Sequence, residues 1–277
     1  MRNPARMTTA LARAHEKAYE IGLVGDMPYA DYGRRLYPNV LADLNRHARG
    51  GPQHRAVRRV HGLRAGPGRL RLRPRPVRAV RPAGRLQSAA YPENVRWRKG
   101  PVTYVGLNVT GSDNNFIDAT NTKKDGPIAQ AQAEYTAPNA ANLQWLKDSF
   151  AAAKASGSKG VLLSIQADMW DPSAVRTHFK DTKDELVRQV TGFAGPVVLV
   201  NGDSHSFEVD KPLLDAATTN AAGKAGVGNV IQNFTRVTTF GEYQYHWVSA
   251  TIDPEDPELF SFHQHLVRAD VPAYTLP

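Results

Sequence analysis

The sequence predicts an α/β fold with a mixed, helix-covered sheet, and three observations carry that expectation. Apolar strand-length runs at 19–25, 102–109, 160–166 and 197–200 alternate with longer amphipathic stretches. A strand–helix–strand–helix–strand order implies right-handed crossovers that lay helices over the sheet. The last third follows a different pattern, in which 229–240, 243–252 and 259–267 read as consecutive antiparallel strands.

Taken in order, Tyr19 to Gly25 (YEIGLVG) is the first strand, ended by Asp26-Met27-Pro28-Tyr29. From Tyr32 to Arg46, apolar residues at Leu36, Tyr37, Val40, Leu41 and Leu44 keep helical spacing. Pro38 is the expected true start of that helix, since its fixed φ and missing N–H suit a first turn. Val102 to Val109 is a strand running into the polar loop Thr110-Gly111-Ser112-Asp113-Asn114-Asn115. Asn139 is placed to cap a helix with Leu143, Leu146 and Phe150 as its stripe and Gly157 as its stop. Gly160 to Gln166 is a buried strand, and Ser173 to Phe193 a second amphipathic helix. Val197 to Val200 then enters Asn201-Gly202-Asp203-Ser204-His205, putting a carboxylate and an imidazole just past a strand end. Loops at the carboxyl ends of strands are where open α/β sheets hold their chemistry.

The 277 residues suit one domain at 19–277 after a flexible segment at 1–18. There is no cysteine, so a metal would rest on nitrogen and oxygen ligands. No apolar run reaches the roughly 18 residues of a membrane span. The first 17 residues are basic without the apolar core of an export signal. The chain reads as cytoplasmic as written, and as periplasmic or secreted if a truncated export signal precedes it.

The net charge of +9 has a local origin. Between Asp43 and Glu93 there are 13 arginines and no acidic residue, and the remaining chain has more acid than base. Residues 46–90 use nine residue types, with proline and glycine breaking every period, and read as an irregular interruption of the domain. All nine can be written with GC-rich codons, as expected of a frameshift in a GC-rich gene. The same arginines would bind a polyanion or nucleic acid in a salt-sensitive way. The tract has no aromatic residue for stacking bases.

Five motifs in order, GDMPY, ENVRW, LNVTGSDNN, QAD and GDSH, resemble a bacterial branch of the calcineurin-like metallophosphoesterases. The resemblance covers roughly residues 19–45 and 91–267. It implies a two-sheet α-β-β-α sandwich of mixed parallel and antiparallel strands, incomplete in the middle. It also implies phosphate-ester hydrolysis by water activated at divalent ions, whether Mn, Fe, Zn or Mg. Asp26, Gln166, Asp203 and His205 then match metal positions, with Asp203 and His205 also catalytic. Asn108, Asn114 and Asn115 are candidates for a phosphate pocket, or plain turn residues.

The departures from the family pattern are specific. Pro28 stands where many members have a His, Gln166 replaces a His, and Asp203 replaces the first His of Gly-His-x-His. The Gly-Asp that gives the bridging carboxylate and the following Gly-Asn loop should fall in 46–90, which has no Asp, Asn or Glu. Without a bridging anion, two cations about 4 Å apart lose the charge that offsets their repulsion. The expectation is therefore a weak or inactive phosphoesterase with at most a single-metal site. A non-catalytic remnant of the fold and a polyanion binder are the alternatives.

Other candidates read blandly. His178 is expected on a helix surface, His246 in a packed or exposed strand, and His263 with His265 on a solvated face. Ser204 and Ser206 lack a Gly-x-Ser-x-Gly elbow, and there is no phosphate-binding or dinucleotide glycine loop.

Overall fold

The computed structural model describes residues 17–49, 84–116, 128–172, 177–215 and 228–271. The expected flexible start lies almost wholly outside them, as do residues 50–83 of the arginine-rich tract.

The strands form where β-branched and aromatic runs can bury both faces. β4 (Val102–Gly106), β5 (Gly160–Ser164), β6 (Val197–Asn201) and β8 (Phe234–Thr238) lie parallel, side by side. β3 (Val95–Lys99) and β2 (Arg85–Leu86) extend one edge antiparallel, and β7 (Glu208–Asp210) extends the other. The resulting seven-stranded order is β2-β3-β4-β5-β6-β8-β7. A second, antiparallel sheet has the order β1-β9-β10, from β1 (Tyr19–Leu23), β9 (Trp247–Ile252) and β10 (Phe260–His265).

Strand alternation decides the layers. Ile21 and Leu23 of β1 join Val248, Ala250 and Ile252 of β9 in one core with Tyr104, Leu162, Val198, Val200 and Val237 of the large sheet. The intervening large-sheet residues Val105, Leu163, Leu199 and Phe234 pack on the opposite side. Their partners are Trp145, Leu146 and Phe150 of α3 (Ile128–Ala155) and Leu186 and Val190 of α4 (Lys180–Thr191). α1 (Asp31–Arg49) lies on the outer face of the small sheet, where Trp247 Nε1 donates to Asp43 at 2.9 Å. The fold is thus a mixed α/β sandwich of two sheets with helices outside them.

Several sequence expectations need correction. α1 starts at Asp31, and Pro38 lies inside it. Tyr37, Val40 and Leu44 are buried on either side of the proline, so packing outweighs the lost backbone hydrogen bond. α3 likewise begins at Ile128 and runs through Pro138, so Asn139 is an interior residue rather than a cap. Its stop is as expected: Gly157 takes φ +63°, and Ser158 N–H reaches back to Ala153 O at 2.9 Å. The expected helix over Ser173 to Phe193 resolves into a single turn at Thr177–Phe179 followed by α4, with 173–176 outside the described residues. The C-terminal strands are not three antiparallel neighbours, because β8 joins β6 in parallel while β9 and β10 pair in the other sheet. The irregular tract is also narrower than 46–90, since α1 reaches Arg49 and β2 pairs with β3.

Candidate functional site

Loops leaving the carboxyl ends of β1, β4, β5 and β6 meet at one end of the large sheet, and backbone hydrogen bonds join the last three. Gln166 and Ala167 N–H both reach Val109 O, at 3.1 and 3.2 Å, and Gly202 N–H reaches Gln166 O at 3.0 Å. The β4 loop is also fixed from behind by Asn94 and Asn142. Asn94 Oδ1 accepts Asn108 N–H at 2.8 Å, and Asn142 Nδ2 donates to Asn108 O at 2.9 Å.

Asp26, just past β1, is buried, and its Oδ2 accepts the backbone N–H of Asp203, 177 residues away in sequence. His205 Nε2 lies 3.9 Å from the same oxygen. Gly202 is required here, because a Cβ would run into the Asp26 carboxylate. Gly241 is required likewise, since its Cβ would sit 2.5 Å from His205 Cδ2.

Asp203 faces Gln166, whose Nε2 donates to Oδ1 at 3.2 Å, and its Oδ2 accepts Asp168 N–H at 3.3 Å. The Gln166 oxygen accepts Gly111 N–H, so Gln166 clamps the β4 loop to Asp203. In that orientation the Gln166 side-chain oxygen faces a backbone donor. Asp168 is neutralised by Arg236 at 2.8 Å and accepts from Ser204 Oγ.

Burial dominates the electrostatics of the site. Burial, more than any neighbour, raises the Asp26 pKa above the ordinary carboxylate value, with His205 opposing the shift. Burial, then the charges of Asp26 and Asp203, pushes the Tyr29 hydroxyl up to about 12. The backbone is strained in the same place. All the non-glycine residues described with positive φ lie in these three loops (Asp26, Ser112 to Asn115, Asp203 and His205), except Tyr243 and Leu259.

The asparagine candidates separate. Asn108 is exposed and contributes backbone contacts. Asn114 is buried and spends its amide on Asn139 Oδ1 at 3.3 Å and His178 O at 3.4 Å, which makes it a brace. Asn115 ends the short left-handed turn α2 (Gly111–Asn114), its N–H on Gly111 O at 3.2 Å.

His178 differs from the expected surface residue. It is half-buried, with Nδ1 2.6 Å from Asp113 Oδ2 and its ring stacked on Phe116 at 3.6 Å. Nothing in the local sequence signals this, because the pair is 65 residues apart. Asn94 carries a signal, since it belongs to the ENVRW motif, but its partner Asn142 carries none.

Among the described residues, no three His, Cys, Asp or Glu side chains form a group ready to hold a metal. No described helix is long and apolar enough to cross a membrane. No family model, curated protein or solved structure matches this chain.

Proposed function

We propose that Asp26 and His205 bind one divalent cation and, beside it, a phosphate ester, with hydrolysis weak or absent. The supporting observation is the 3.9 Å approach of Asp26 Oδ2 and His205 Nε2. Two ligands each about 2.0–2.2 Å from a single ion stand roughly 3–4 Å apart, so this pair fits one ion. A buried carboxylate whose charge is poorly solvated is a further reason to expect a cation there.

When bound, a divalent ion supplies Lewis acidity toward a phosphoryl oxygen. The chain's own contribution is positional. Asp203 N–H fixes the Asp26 carboxylate, and Gly241 lets the His205 ring lie close against the backbone. The Gln166 clamp holds the Asp203 carboxylate, whose charge adds to that of Asp26. The assignment of Asp203 and His205 as catalytic is part of this proposal. Two protein ligands and no bridging carboxylate among the described residues give weak affinity and little activation of water.

The non-catalytic alternative is favoured by one observation: Gln166 and Asp168 both serve internal contacts. The polyanion reading rests on residues 50–83, outside the described ones.

Calorimetric titration with Mn²⁺, alongside turnover of p-nitrophenyl phosphate, tests the proposal. One weakly bound ion per chain is expected, with affinity lowered at least about tenfold by Asp26→Asn or His205→Ala and turnover near background. Absence of binding would leave the non-catalytic remnant. Robust turnover that survives Asp26→Asn would refute this site.

A further inference from the structure

Beside His205 the surface carries an unusual group of tyrosines. Tyr29 packs on the His205 ring at 5.4 Å and is 41% exposed. The segment after β8 is tied to the same histidine, with Gly241 N–H on His205 O at 3.1 Å. It then makes a tight turn closed by Gln244 N–H on Gly241 O at 3.0 Å. Tyr243 occupies the third position of that turn with φ +70°, a place that favours glycine or asparagine. Its side chain is 78% exposed.

A residue that combines backbone strain with an aromatic ring in water carries two costs at one position. The ring is also braced. Tyr32 stacks on it with centroids 5.7 Å apart and planes 13° apart, and the Tyr32 hydroxyl donates to Glu242 at 2.8 Å. Tyr245 meets Tyr32 edge-on at 5.9 Å. The turn therefore holds the Tyr243 ring in place, two residues from the Gly241 that abuts His205.

We infer that Tyr29 and Tyr243, braced by Tyr32, form a ledge that binds the aromatic group of an aryl phosphate ester whose phosphate lies at Asp26 and His205. The inference rests on the phosphate-ester reading above and adds the substrate class. Offset or edge-on stacking on tyrosine is the recognition chemistry. An alkyl phosphate gains nothing from the ledge.

The test is calorimetric titration of the Mn²⁺-loaded full chain with phenyl phosphate and with methyl phosphate. It uses the wild type, Tyr243→Ala, Tyr243→Phe and Asp26→Asn. Tyr243 is largely in solvent, so its substitutions leave the core intact. Phenyl phosphate is expected to bind about tenfold tighter than methyl phosphate. Tyr243→Ala should erase that preference without changing methyl phosphate affinity, Tyr243→Phe should keep it, and Asp26→Asn should weaken both ligands. Equal affinities, or a preference that survives Tyr243→Ala, would overturn the ledge while leaving the phosphate reading in place. If neither ester binds, or binding ignores Asp26→Asn, the phosphate reading and the ledge both fail.

Discussion

At the scale of single residues, the site holds a carboxylate in an unfavourable place. Burial raises the Asp26 pKa, so the folded chain holds that proton more tightly than the unfolded chain does. The stability linked to Asp26 is fully present below the ordinary carboxylate pKa and is lost as pH rises through the folded value. Without divalent metal at pH 7, Asp26→Asn should therefore raise stability, on the order of 1 kcal/mol per unit of pKa shift relieved. The gain should fade on acidification below the carboxylate range, as measured by urea unfolding at a series of pH values. A loss of stability at pH 7 would mean that the ionised form is already well solvated. Asp26, Asp203 and His205 were legible because polar residues directly after buried strands point to a loop at one end of the sheet. The Gln166 clamp and the Asp113–His178 pair were not, because each depends on contacts between distant segments and carries no local pattern.

At the scale of elements, α1 is joined to the small sheet by a cluster of imidazoles and carboxylates. His265 is stacked flat on Trp247 at 3.8 Å, accepts or donates to Ser249 Oγ at 2.9 Å, and faces His47 at 4.6 Å and His263 at 4.8 Å. His47 bonds Glu20 at 2.9 Å, and Asp43 holds the Trp247 indole. Burial first, then the neighbouring His47 and His263, lowers the His265 pKa to about 4, against partial opposition from Asp43 and Glu20. Below pH 6.5 the unfolded chain takes up a proton that the fold refuses, so stability falls as pH drops from about 6.5 toward 4. His265 is only partly buried, and solvent screening limits the effect to about 1 kcal/mol. His265→Phe, which keeps a ring on Trp247, should flatten the change in urea midpoint between pH 7.5 and 5. An unchanged slope would assign it to other groups. His263 is exposed, as its sequence reading has it, whereas His265 is half-buried, because alternation alone does not show that a helix far earlier in the chain covers that end of the strand. The same blindness explains Pro38 and Asn139: local rules start helices there, whereas the helices begin a turn or more earlier and run through both positions.

At the scale of the whole molecule, the two sheets share one core, and that decides how the protein unfolds. The strand positions were legible from apolar runs, but their division between sheets was not, since periodicity does not say which strands pair. β8 reads as the first of three antiparallel strands, yet it completes the parallel row beside β6. β1 and β9, at opposite ends of the described chain, pair with Leu23 opposite Val248 and Tyr19 opposite Ile252. The Tyr19 hydroxyl then crosses to the large sheet, 2.7 Å from the Tyr104 hydroxyl and 2.8 Å from Lys99 O. Neither sheet can lose its partner without exposing residues such as Leu23, Val248, Ala250, Val200 and Val237, which are all fully buried. At about 1.5–3 kcal/mol per side chain, exposing even five of these exceeds the lower end of a typical domain's net stability. The small sheet should therefore not melt before the large one. Trp247 reports on the small sheet and Trp145 on the helix face of the large sheet, so Trp247→Phe and Trp145→Phe, each made in a chain whose Trp97 and Trp170 are already Phe, leave complementary fluorescence probes. Urea titrations of the two variants, each compared with its own far-ultraviolet circular dichroism, should give coincident transitions within each variant. An earlier fluorescence transition in the variant that retains Trp247 would show that the small sheet and α1 form a separate, weaker unit. The shared core would then contribute less to cohesion than its burial implies.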